Sequence, residues 1–171
     1  MSSVKYKNKG GFLSTLADLR TLLTSLQKNG VEYILIGGQA LALHGFPRAT
    51  EDVDLVVPFD EENGKRLIQS LAFLNSSKEL RPEWFSAEAN EDEIQNIRVE
   101  DDLVVDILFA ANGQTYQSLL PHIKTISFDD MSIRTLDIDG LLKTKTDFRE
   151  KDIIDRAALL KIKAMSDNTS N

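Results

Sequence analysis

An α+β fold is predicted for this 171-residue chain by three observations. Short apolar runs are bounded by Gly, Pro and Asp, helical periodicity appears at both ends, and no motif repeats at a fixed spacing. The expected architecture is a small mixed sheet covered by helices, one domain over residues 1–171, with a sheet core at 31–110 and C-terminal helices at 136–165.

Taken in order, Phe12, Leu16, Leu19, Leu22, Leu23 and Leu26 recur at helical spacing, and Asn29-Gly30 supplies the stop. Val31–Ile36 reads as a short buried strand. Gly37-Gly38 breaks it, and Gln39–His44 opens a helix that Gly45-Phe46-Pro47 ends. Asp52–Val57 is a second strand closed by Pro58. Asp60 is placed to cap a helix whose Leu67, Ile68, Leu71 and Leu74 share one face. Residues 75–93 carry many charges and little periodicity, so they read as loop with room for a short strand or helix. Ile94–Glu100 and Leu103–Phe109 predict a hairpin turning at Asp101-Asp102. A short helix follows around Tyr116–Ile123, then strands at Thr125–Phe128 and Ser132–Arg134 joined through Asp129-Asp130. From Asp139 the pattern is helical again, with Leu141-Leu142 and then Ile153, Ala157 and Leu160 at i, i+4 and i+7.

Composition narrows the function classes. The absence of cysteine removes disulfides, thiolate zinc sites and a cysteine nucleophile. His44 and His122 are too few for a histidine-based metal site. A net charge of −7 and a pI near 4.9 disfavour extended binding to nucleic acid or an anionic membrane. The basic start MSSVKYKNKGG leads into an amphipathic stretch, unlike a signal peptide. No apolar run approaches the ~18–20 residues of a membrane span. A soluble, cytoplasmic protein is expected.

The informative segment is YILIGGQALALHGFPRATEDVDLVV, residues 33–57. On a strand, side chains two apart share a face, so Asp52 and Asp54 set their carboxylates side by side while Val53 and Leu55 face the core. Their mutual repulsion is relieved by a divalent cation between them, and Mg²⁺ favours such oxygen ligands while keeping positions for water and phosphate. With 16 Asp in the chain, about one or two D-x-D pairs arise by chance, so context must decide. Asp137/Asp139 precedes a helix and reads as capping. Asp52/Asp54 instead lies in a β-branched apolar run, where aspartate is disfavoured. Asp106 interrupts Leu103–Phe109 in the same way, the alternative being an edge-strand charge facing water. Gly37-Gly38 adds free backbone N–H groups at a helix start, where glycine lets a phosphate approach; the plain alternative is a tight turn needing positive φ.

Together these residues resemble the DNA polymerase β-like nucleotidyltransferase superfamily, in particular its small bacterial and archaeal members, which include minimal nucleotidyltransferases and abortive-infection toxin components. The matching residues are Gly37-Gly38-Gln39-Ala40, His44-Gly45, Arg48, Thr50, Asp52-Val53-Asp54 and Asp106. Near the C-terminus a lysine precedes Arg149, Lys151, Asp152 and Asp155, with Lys143 and Lys145 both open as the motif lysine. The resemblance spans roughly residues 31–160.

It implies a Mg²⁺-dependent enzyme moving a nucleoside monophosphate from an NTP, such as ATP, to a hydroxyl acceptor and releasing pyrophosphate. Asp52, Asp54 and Asp106 would hold two Mg²⁺ ions, with Asp106 assisting deprotonation of the hydroxyl. Gly37 and Gly38 would hold phosphates, and Arg48, Lys145, Arg149 and Lys151 are candidate phosphate ligands. His44 reads as a packing or hydrogen-bonding residue. The acceptor stays open among small molecule, protein and tRNA end, with a protein partner or an oligomer interface as a further source of contacts. The competing expectation is a nucleotide-binding regulatory module without turnover, as in a toxin–antitoxin pair.

Overall fold

The computed structural model describes residues 11–47 and 49–170. Arg48 therefore lies outside the described residues, as do the side chains of Phe12 and Leu16. The chain runs through α1 (Gly11–Lys28), β1 (Ile34–Ile36), α2 (Gly37–Leu43), β2 (Asp52–Val56) and α3 (Glu61–Ser70). Three 3₁₀ turns at Asn75–Glu79, Pro82–Phe85 and Glu88–Asn90 fill the region expected as loop. Then come β3 (Ile97–Glu100), β4 (Val104–Leu108), β5 (Ala110–Ala111), β6 (Gln114–Thr115) and α4 (Tyr116–Leu119). The strands β7 (Ile123–Phe128) and β8 (Met131–Leu136) and the helices α5 (Ile138–Lys143) and α6 (Glu150–Thr169) complete it. Among the described residues no helix is long and apolar enough to cross a membrane.

The main sheet has the order β1-β2-β4-β3. β1 and β3 run antiparallel to their neighbours, and the central β2/β4 pair is parallel. This is the α+β arrangement the sequence predicts. Alternation gives the sheet two chemically different faces. Val53, Leu55, Val99, Val105 and Ile107 fill one, buried in a continuous core with Leu22, Leu26, Leu67, Leu71, Phe85 and Phe109. The other face carries Asp52, Asp54, Arg98, Glu100 and Asp106.

Local chemistry sets the element boundaries. Asp60 caps α3 by accepting from the Asn63 N–H at 2.6 Å, and Asp137 caps α5 by accepting from Gly140 N–H at 2.7 Å. The buried Asn63 amide clasps both backbone polar groups of Glu32, which pins the approach to β1 against α3. The Thr135 hydroxyl donates to the Leu35 carbonyl at 2.7 Å, holding β8 beside β1.

The structure adds to or corrects the pattern reading at three places. The hairpin strand begins at Ile97 and not Ile94, and its connection is the three residues 101–103, with Leu103 fully buried. A tight turn at Asn112-Gly113, both at positive φ, joins β5 to β6. This Asn-Gly pair is a strong hairpin signal that the pattern reading passed over. Finally, α6 forms as the spacing predicts, and its rotation leaves Ile153, Ala157 and Leu160 exposed while Asp152, Asp155, Ala158 and Leu159 are buried. An ion-pair network, described next, holds that rotation.

Candidate active site

Strand register brings the predicted carboxylates together. Asp52 and Asp54 share the polar face of β2, and Asp106 is the direct partner of Asp54 across the parallel pair. β4 is an interior strand, so Asp106 is no edge charge facing water. Burial and the charges of Asp106 and Asp52 push the Asp54 carboxyl up to about 6, against the opposing pull of Lys145 and Lys151. Asp106 is also raised, chiefly by burial, although Arg98 draws it down.

Arg98 is the residue that sequence reasoning missed. It stands directly across β3/β4 from Asp106, and its Nη1 donates to both carboxylate oxygens at 3.1 Å. Its Nη2 lies 3.6 Å from Asp52 Oδ2, and its Nε 3.9 Å from Glu100 Oε2. One guanidinium thus bridges two of the three carboxylates. The available signal was a lone arginine alternating with apolar residues in the strand opposite Asp106.

The glycine turn abuts the acids. Gly37 has φ +74°, and a Cβ placed there would collide with Asp54 Oδ2. Its positive φ and close approach match the tight-turn alternative. A Cβ on Gly38 would lie 2.8 Å from Thr50 Cβ, so the motif threonine packs on the motif glycine. α2 starts at Gly37 without a side-chain cap at Ile36, so its first N–H groups have no capping acceptor from that residue. At the far end of α2, His44 Nε2–H donates to the Leu136 carbonyl at 2.8 Å, and burial lowers its pKa. It is a hydrogen-bonding residue, in keeping with the sequence reading.

The basic cluster divides. Lys145 is buried, its Nζ 2.9 Å from Asp155 and 3.9 Å from Asp152. Asp152 also accepts from the Thr146 backbone N–H at 3.0 Å and its hydroxyl at 2.8 Å. Asn112 Nδ2 donates to the carbonyls of Lys143 and Lys145, fixing this segment to the β5–β6 turn. Arg149 and Lys151 are exposed and line an open cavity of about 540 Å³ with Glu150 and Ile154. Lys143 is also exposed, whereas Lys145 is buried and its charge acts on Asp54.

Three hard oxygen donors with excess negative charge suit a divalent cation. Among the described residues, however, no three His, Cys, Asp or Glu side chains are posed around a single point. The Arg98 cation already bridges Asp52 and Asp106.

No protein-family model matches the sequence, and no curated protein matches it. Two similar solved structures share its architecture. One is a Thermotoga maritima protein designated a nucleotidyltransferase, 14% identical over 93% of this chain and 94% of that one, with TM-score 0.53. The other is the antibiotic-resistance factor ANT(2″)-Ia, 11% identical over 87% of this chain and 84% of that one, with TM-score 0.54. The chain has a nucleotidyltransferase fold.

Proposed function

We propose that the chain is a nucleotidyltransferase that moves a nucleoside monophosphate from an NTP to a hydroxyl acceptor. The observation that carries this reading is Asp54 and Asp106 in register on adjacent strands, with Asp52 on the same face and the Gly37 turn against Asp54. In the reaction the acceptor oxygen bonds to the α-phosphorus, the bond to the β-phosphate oxygen breaks, and pyrophosphate leaves. Asp106 accepts the proton of the attacking hydroxyl. Asp52, Asp54 and Asp106 would hold Mg²⁺, which when bound neutralises the charge of the triphosphate.

The chain's own groups position the substrate. N–H groups of the Gly37-Gly38 turn take phosphate oxygens. Arg149 and Lys151 are exposed cations, and the charge of Lys151 acts on Asp54. Lys145 is committed to Asp155, so it contributes field to Asp54 in place of a direct phosphate contact. Cation binding requires Arg98 to release Asp106. Such chemistry is chiefly positioning and charge neutralisation, which these groups suffice to supply. The resemblance to small minimal and abortive-infection-type members rests on the motif residues.

Thermal melts with each of the four NTPs, with and without Mg²⁺, test the reading in wild type and Asp54→Asn. A ligand at a hundredfold excess over Kd stabilises by about 2.7 kcal/mol, a shift of several degrees. The expected result is a Mg²⁺-dependent shift in wild type that Asp54→Asn loses, accompanied by pyrophosphate release once an acceptor is supplied. A triphosphate shift without pyrophosphate release across an acceptor panel returns the regulatory-module reading. No shift with any nucleotide sinks both.

A further inference from the structure

Arg98 and a divalent cation compete for the same oxygens. The guanidinium donates to both oxygens of Asp106 at 3.1 Å and stands 3.6 Å from Asp52 Oδ2, so these oxygens cannot hold a metal until it leaves. A bound metal then repels the displaced guanidinium at short range. The strand that carries Arg98 supplies a place for it. Glu100 lies two residues further along β3, on the same polar face, and its Oε2 is 3.9 Å from Arg98 Nε. An approach of about 1 Å brings the pair to hydrogen-bond distance. The Glu100 side chain is 53% exposed against 18% for Asp106. The turn from Asp106 to Glu100 therefore takes the guanidinium from a largely buried carboxylate to a well-exposed one.

Glu100 has no competing duty. Among the described residues Arg98 is its one ion-pair partner, and its cross-strand neighbour is the apolar Val104. The backbone beneath it is fixed, because Ser76 donates its hydroxyl to the Glu100 carbonyl at 3.0 Å and its N–H to Asp101 at 2.9 Å. A plain charge on an outer strand serves to keep the edge from pairing. Glu100 does more. Of the three carboxylates that Arg98 meets, it is the one that the metal reading leaves free.

We infer that Glu100 is a positioning residue for the metal site, acting through Arg98. It receives the guanidinium as the cation takes Asp52 and Asp106, and so favours loading without touching the metal. The inference rests on the reading of Asp52, Asp54 and Asp106 as the metal site.

Calorimetric titration with Mn²⁺ at low salt tests it on the full chain as wild type, Glu100→Gln, Arg98→Met and the double variant. Glu100→Gln should weaken Mn²⁺ binding roughly threefold in the wild-type background, the scale of an exposed ion pair. In the Arg98→Met background the same change should leave binding unaltered, since no guanidinium remains to be received. Far-UV circular dichroism spectra of all four proteins should superimpose, because both positions are exposed. Equal weakening in the two backgrounds overturns the inference, as Glu100 would then attract the cation by its charge alone. So does unchanged binding in Glu100→Gln, the behaviour of a plain edge charge. Both of those results leave the metal reading standing, whereas no Mn²⁺ binding by any of the four proteins removes that reading and the inference together.

Discussion

Asp54 carries the strongest single-residue consequence of the arrangement. Its pKa rises from 3.8 to about 6 in the folded chain, through burial and through Asp106 and Asp52. Between those values the native state binds more protons than the unfolded chain, so stability falls as pH rises and the cost is complete above about 6. Asp54→Asn cannot ionise and escapes that cost. It should therefore melt like wild type at pH 4 and be more stable by roughly 2 kcal/mol at pH 7.5 without divalent ions. Thermal or urea unfolding at the two pH values checks it, and equal stability at pH 7.5 would refute the electrostatic account. Arg98 has the complementary role. Its guanidinium holds Asp106 at 3.1 Å and so screens the repulsion among the acids. Arg98→Met should lower metal-free stability by about 1 kcal/mol, a charge-assisted hydrogen bond discounted for the half-exposed guanidinium, and should tighten Mn²⁺ binding severalfold because no resident cation must leave. Calorimetric titration with Mn²⁺ reads the second effect, and unchanged or weaker binding would show that Arg98 does not occupy the cation's place.

At the scale of elements, the structure assigns packing roles to motif residues that looked chemical. Gly37 gives room to Asp54, Gly38 to Thr50, and His44 ties the end of α2 to the end of β8. Such residues position chemistry by letting elements approach closely. The same holds for α6, which is anchored by the Lys145–Asp155 pair with Asp152 bonded to Thr146. Removing one partner of a buried pair strands the other charge in low dielectric. Lys145→Met should therefore destabilise the chain by about 3 kcal/mol in urea unfolding, with α6 the element most loosened. Arg149→Ala, at an exposed position, should leave stability within about 0.5 kcal/mol and weaken triphosphate binding. If Lys145→Met is as stable as wild type, the pair is not what fixes the rotation of α6.

Across the whole molecule, long-range polar clasps hold the sheet in its surroundings. Asn63 joins α3 to the approach of β1 through Glu32, and it is fully buried. Asn63→Ala should cost about 1–3 kcal/mol, since two backbone groups lose their partner, with the denaturant m-value unchanged; a neutral substitution would remove the clasp from the account. The sequence by itself determined the order and type of most elements, because β-branched runs, glycine breaks and capping aspartates act locally. It also determined Asp52, Asp54 and Asp106 as misfits in apolar strands, since charge in such a run stands out without any structure. The tertiary structure alone decided which groups face them. A two-residue turn at Asp101-Asp102 would have set Arg98 opposite Val105, whereas burial of Leu103 makes the connection three residues long and sets Arg98 opposite Asp106. A one-residue slip exchanges the two faces of a strand, and the choice depends on how Leu103 packs in the core. The rotation of α6 is of the same kind. Periodicity marks an apolar stripe, but the contacts of Lys145 with Asp155 and Asp152 turn the acids inward and leave Ile153, Ala157 and Leu160 on the surface.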